Sequence, residues 1–187
     1  MPRLTLVGYR ACGKSTVGRL VAARLAWPFI DADHVVEDRL GAPIAQVFRT
    51  HGEAYFRAAE SAVLADILNG SGPFVLATGG GVIESPANRA LLKERGGTVV
   101  YLHASAEMVQ ERLRHQAGGR PSLTGGNVAD EVPAILARRE PLYREVATVL
   151  IDSGPTIAGV ADRVAEAVER SPSSPDNPAP TRPSPSV

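Results

Sequence analysis

The sequence predicts an α/β protein whose parallel sheet is covered by helices on both faces, and two observations carry that prediction. Five short apolar segments, residues 4–7, 29–30, 74–77, 98–102 and 148–151, alternate with helical patterns at 14–25, 34–40, 44–50, 53–68, 86–94, 106–114, 132–140 and 157–169. The apolar segments are also continuous rather than alternating, as strands are when neither face meets water. Repeated β–α alternation requires parallel strands, right-handed crossovers and a three-layer α/β/α sandwich. In such sheets ligands collect at the carboxyl ends of the strands, so the residues that follow each strand are the ones to question.

After the first strand come Gly8-Tyr9-Arg10-Ala11-Cys12-Gly13-Lys14-Ser15, with the spacing G-x-x-x-x-G-K-[ST]. The helical pattern Val17, Leu20, Val21, Leu25 follows directly. Strand, loop and helix in that order form an anion cradle, because loop amides meet the positive end of the helix. Lys14 then reaches the β- and γ-phosphates of a nucleotide and the Ser15 hydroxyl ligates Mg²⁺. A glycine-rich turn that only caps a helix is the plainer alternative, and the flanking strand and helix favour the nucleotide site.

Asp31-Ala32-Asp33 follows the second strand. Extended geometry would project both carboxylates to one side, one towards the Mg²⁺ shell with Ser15 and one towards a hydroxyl nucleophile. The alternative is that one of them caps the helix starting near His34. In the next helix Arg57 and Glu60 share a face at i, i+3, either as part of a site or as a solvated pair worth less than ~1 kcal/mol. Gly79-Gly80-Gly81 follows the third strand and leaves backbone amides approachable. Ser85 is an N-cap candidate ahead of Pro86. Residues 116–127 are glycine-rich and aperiodic, a lid candidate carrying Arg120-Pro121, whose guanidinium suits charge on a transferring phosphoryl group. Arg138-Arg139-Glu140-Pro141-Leu142-Tyr143 ends the following helix, and an arginine there suits bidentate capture of a carboxylate.

With 187 residues the chain reads as one domain over 1–170, followed by a tail at 171–187 whose six prolines and five serines predict disorder. Zero formal net charge gives nucleic acid and anionic membranes no global attraction, and no apolar run approaches the roughly 20 residues of a membrane span. No secretory segment is evident and the single cysteine, Cys12, has no internal partner, which places the chain in a reducing cytoplasm, with a monomer as the default.

Taken in order, the phosphate loop, Asp31-x-Asp33, Phe56-Arg57-x-x-Glu60, Gly79-Gly80-Gly81, Arg120-Pro121 and Arg139-x-Pro141-Leu142-Tyr143 resemble shikimate kinase over about residues 3–169. Each motif is common alone; the ordered set is specific. The resemblance implies a P-loop kinase fold of the nucleoside-monophosphate-kinase type. Its five-stranded parallel sheet would have the order 2-3-1-4-5, with a helical substrate-binding region and a lid at about residues 116–128. It implies transfer of the ATP γ-phosphoryl group to the 3-hydroxyl of shikimate, a step of chorismate and aromatic amino-acid synthesis. On that likeness Ala11, Cys12, Gly13, Lys14, Ser15 and Thr16 hold ATP, with Arg114 and Pro155 on the adenine side. Lys14, Asp33 and Arg120 are the catalytic residues. Asp33, Arg57, Glu60, Gly79, Gly80, Gly81 and Arg139 hold shikimate. Ser15 binds one Mg²⁺ directly, and Asp31 acts through coordinated water. The chain departs from the family pattern at Ala11, where glycine is usual, and at Cys12; alanine there calls for an unstrained φ.

Two rivals are weighed on the same residues. A kinase of another small hydroxy-acid, such as gluconate, shares the phosphate loop but is not expected to combine Phe56-Arg57-x-x-Glu60 with three glycines. A GTPase-type switch would use Asp38-Arg39-Leu40-Gly41, yet that aspartate lies inside a helical pattern, and no [NT]-K-x-D signature is present.

Overall fold

The computed structural model describes residues 3–115, 129–154 and 156–170. The expected lid with Arg120, Pro155 and the tail at 171–187 lie outside the described residues. Five strands, β1 (Arg3–Val7), β2 (Phe29–Asp31), β3 (Phe74–Ala77), β4 (Thr98–His103) and β5 (Val149–Asp152), form one sheet of order β2-β3-β1-β4-β5. Every neighbouring pair is parallel, with Leu6 opposite Ala77 on one side and Val100 on the other. This is the 2-3-1-4-5 arrangement the sequence implied.

The helices are α1 (Lys14–Leu25), α2 (Ala32–Leu40), α3 (Ile44–Asn69), α4 (Pro86–Arg95), α5 (Ala106–Arg114), α6 (Val132–Val146) and α7 (Ile157–Arg170), with a 3₁₀ turn at Val82–Glu84. They cover the sheet from both sides. Leu4, Leu6, Val75 and Val100 pack with Val17, Val21, Val160 and Val164 on one face. Val7, Phe74, Leu76 and Val99 pack with Leu64, Leu68, Leu92 and Tyr143 on the other. The central strand is therefore closed to water on both faces, which is why its apolar run is continuous. Within that run the polar Thr5 is fully buried and donates to Gly96 O at 2.8 Å. Ser85 does cap α4, accepting from Asn88 N at 3.3 Å, with Pro86 in the first turn.

One expectation about the helices holds and two need correction. Residues 44–50 and 53–68 are two helical segments, as expected; they run on as α3 across a kink at Gly52 (φ 80°, ψ 174°). Glycine adopts that backbone without a Cβ penalty, so the chain bends and resumes. The helix expected to stop at 140 runs on to Val146 through Pro141. Proline costs that helix a hydrogen bond, but the buried residues Leu136, Arg139, Tyr143 and Val146 lie on both sides of it and hold the segment together. Asp33 is not in extended backbone; it lies in the first turn of α2.

Candidate active site

The phosphate-binding candidate begins where β1 ends. Gly8 turns at φ 147°, and a Cβ there would stand 2.6 Å from Leu102 O on the neighbouring strand. The loop carbonyls are engaged one after another. Lys14 Nζ donates to Gly8 O at 2.9 Å and to Tyr9 O at 2.8 Å; Arg112 Nη1 donates to Ala11 O at 3.0 Å; Ser153 Oγ donates to Cys12 O at 2.9 Å. The first amides of α1 have no intrahelical acceptor, and its N-cap, Gly13, offers no side chain. A loop with engaged carbonyls and available amides has the polarity an anion requires. Ala11 sits at φ 61°, contrary to the expectation of an unstrained angle. The left-handed region costs an alanine about 1–2 kcal/mol, which the surrounding hydrogen bonds hold in place.

A cleft of about 530 Å³ opens over this loop, lined by the loop from Arg10 to Thr16, by Asp33, Thr78 and Gly80, and by Arg112, Ser153, Gly154 and Ile157 on its other wall. Ala11, Cys12, Gly13, Lys14, Ser15 and Thr16 are thus all on the wall of one cleft. Arg114 is not. Its side chain is 58% exposed and pairs with Glu111 at 3.3 Å, whereas Arg112 reaches the cleft. The reason is helical spacing: Val109 marks the buried face of α5, residue 112 shares that face at i+3, and residue 114 does not.

Asp31 and Asp33 are brought close to the loop by a different route from the one strand alternation suggested. Asp31 ends β2 and caps α2, its Oδ1 accepting from Asp33 N at 3.2 Å, while its Oδ2 accepts from Ser15 Oγ at 2.6 Å. Asp31 therefore both caps α2 and stands against Ser15. A hydroxyl and a carboxylate in contact are hard oxygen donors, the chemistry Mg²⁺ takes when phosphates and water complete its shell. Among the described residues no group of three or more His, Cys, Asp or Glu side chains gathers into a self-sufficient metal site.

The acid-binding candidate is assembled from three separate elements. On α3, Arg57 Nη1 donates to the buried Glu60 (Oε2, 2.7 Å), and its Nε and Nη2 donate to Glu53 Oε1 at 3.2 and 3.1 Å. The Arg57–Glu60 pair is therefore not the solvated surface pair its spacing also allowed. Burial works to lower the Arg57 pKa, but the charge and hydrogen bond of Glu60, followed by those of Glu53, hold it above its ordinary value. On α6, Arg139 is buried, with its Nε donating to Glu84 Oε1 at 3.1 Å and its Nη2 without a hydrogen-bond partner among the described residues. Glu84 Oε2 lies 3.7 Å from Arg57 Nη2, so the two guanidiniums meet on one carboxylate. Burial would raise the Glu84 pKa; Arg139, then Arg57 and Arg138, hold it below its ordinary value.

The three glycines lie between the two regions. A Cβ on Gly79 would run into Glu60 and come within 3.0 Å of Asp33 Oδ1, and one on Gly81 would run into the Arg57 guanidinium. Gly80 packs against the loop backbone and accepts from Tyr143 Oη at 2.5 Å. Burial raises the Tyr143 pKa well above its ordinary value, so the hydroxyl stays a donor.

Residues 10–169 match the family model described as "Shikimate kinase". The chain belongs to the shikimate kinase family. The shikimate kinase of Paracidovorax citrulli is 44% identical over 167 residues, covering 88% of this chain and 90% of the relative. That of Halorhodospira halophila is 45% identical, covering 91% and 96%. The structure of the Acinetobacter baumannii shikimate kinase in complex with shikimate superposes with a TM-score of 0.84 at 38% identity, covering 90% of this chain and 93% of that one. The shikimate kinase motifs read from the sequence cover most of the site's residues and include Tyr143, though without a role for it; they pass over Arg112 and Glu84. The periodicity of α5 contained the signal for Arg112. Glu84 follows the glycines with no motif of its own, and only the tertiary contacts reveal it.

Proposed function

We propose that this chain transfers the γ-phosphoryl group of ATP to the 3-hydroxyl of shikimate, giving shikimate 3-phosphate and ADP. One observation carries the reading beyond family membership: Arg57 and Arg139, from different helices, converge on a single carboxylate beside the glycines that abut the phosphate loop. A small polyol acid needs that pairing of a cationic grip for its carboxylate with an anion for its hydroxyls.

In this reading Ala11 to Thr16 hold the triphosphate through amides at the start of α1, and Lys14 moves from the carbonyls of Gly8 and Tyr9 to the β- and γ-phosphates. Arg57 and Arg139 hold the substrate carboxylate, Glu60 orients Arg57, and Asp33 accepts the proton of the attacking hydroxyl. The substrate oxygen forms a bond to the γ-phosphorus as the bond to the β-phosphate oxygen breaks. Ser15 and Asp31 would hold Mg²⁺, which would neutralise charge on the β- and γ-oxygens. Arg112, on the cleft wall, takes the adenine-side place first assigned to Arg114. Arg120 and Pro155 keep their assigned roles on the likeness of motif alone. Phosphoryl transfer asks mainly for positioning and electrostatic stabilisation, which this set supplies. We read the protein as a cytoplasmic monomer: its one thiol is free and buried, and among the described residues the exposed large apolar side chains are few, Leu20, Tyr55, Leu150 and Ile157, each on a different element.

The test is ADP release by the purified chain with Mg²⁺, ATP and either shikimate or gluconate. Release should depend on shikimate and be at least ~100-fold slower with gluconate, since a site built for specific polar groups rejects acids that lack them. Equal turnover of the two acids, or release indifferent to both, would defeat the reading.

A further inference from the structure

Glu84 lies outside every motif that carries the family resemblance, yet the acid-binding guanidiniums meet on it. Resting on the shikimate kinase reading, we propose that Glu84 is a positioning residue for the acid substrate. It holds buried Arg139 by its Nε and braces Arg57 at Nη2, which leaves the Nη2 end of the Arg139 fork for the substrate's carboxylate.

Three observations support this. Among the described residues Glu84 is the only carboxylate within ion-pair distance of Arg139, whose side chain is 5% exposed. A buried guanidinium that loses its counter-ion relocates towards water, because an unpaired buried charge is costly. Glu84 is itself on a fixed support: Arg89 Nη1 donates to Ile83 O at 2.8 Å and Glu84 O at 3.3 Å, and Asn88 Nδ2 donates to Val82 O and Ser61 Oγ, both at 3.0 Å. Finally, its contact with Arg139 is made by Nε alone, so holding the guanidinium does not consume Nη2. Repulsion between Glu84 and an arriving carboxylate works the other way. Preorganising the fork outweighs it, because the guanidinium would otherwise have to be gathered from alternative positions each time substrate binds.

The experiment compares the full-length wild-type chain with Glu84→Ala and Glu84→Gln, measuring KM for shikimate and for ATP, kcat, and shikimate binding by calorimetry. Glu84→Ala should raise KM and Kd for shikimate about tenfold while KM for ATP stays within twofold; Glu84→Gln, which keeps an acceptor, should fall between. An unchanged shikimate KM, or a lower one as expected if Glu84 competes with substrate, overturns the assignment. So does a parallel rise in both KM values, the mark of a general structural defect. A wild-type chain that neither binds nor turns over shikimate defeats the kinase reading itself and this assignment with it.

Discussion

The two halves of the site are built by opposite strategies. The phosphate side is a contiguous run of the chain, Gly8 to Ser15, whose polarity comes from backbone groups and the start of one helix. The acid side has no contiguous segment: Arg57, Glu84 and Arg139 come from α3, a 3₁₀ turn and α6, and their order depends on charges paired across elements. A local cradle is specified by dihedral angles and spacing, whereas a distributed clamp is specified by packing. The phosphate side therefore takes its form from one segment, tied at Ala11 and Cys12 by Arg112 and Ser153, while the acid side depends on all three elements at once. Within the clamp the arginines differ too: Arg57 keeps 22% of its side chain exposed among three carboxylates, and Arg139 is nearly sealed with one.

Perturbing each half should separate them. Lys14→Ala removes the cation from the phosphate side and should lower kcat about 10³-fold with shikimate affinity little changed, measured by ADP release and calorimetry. A comparable loss of shikimate binding would show that the halves are not independent. Arg139→Ala strips the sealed arginine from the clamp and should raise KM for shikimate about 100-fold, leaving ATP affinity intact. Ala11→Gly tests the local strain at φ 61°. Relief of about 1–2 kcal/mol is offset by the roughly 0.5–1 kcal/mol that glycine adds to unfolded-chain freedom. The net gain at the middle of those ranges, about 0.75 kcal/mol, should lift Tm by about 1.5–3 °C in a melting experiment. A lower Tm would mean that the alanine methyl packs more favourably than its backbone is strained. The smallest effect belongs to Arg138→Ala. Arg138 also pairs with Glu84, at 2.7 Å, but its side chain is 65% exposed, so KM for shikimate should change less than about twofold. A larger change would move Arg138 into the clamp proper.

The same contrast explains what could be read before the fold was known. The phosphate loop was legible because strand, loop and helix are sequence neighbours. The three inner strands were legible because the middle of the sheet is covered on both faces and their apolar runs are unbroken. Asp31 and Asp33 do lie beside the phosphate loop, but by another geometry, since strand alternation says nothing of where a strand yields to a helix. Position before the lid pointed to Arg114, and it carries no information on which side of α5 faces the cleft; the buried face that Val109 marks is the one Arg112 shares.

By itself, then, the sequence determined the α/β layering, the phosphate loop and the pool of arginines and carboxylates from which the clamp is drawn. These rest on periodicity and on spacing within a few residues, which the chain carries in linear form. Only the tertiary structure decided that Glu84 is shared by Arg57 and Arg139, that Tyr143 fastens Gly80, and that Gly81 must lack a side chain beside Arg57. Those choices depend on distances between segments far apart along the chain. Such distances are set by how the layers pack, and no local preference encodes them.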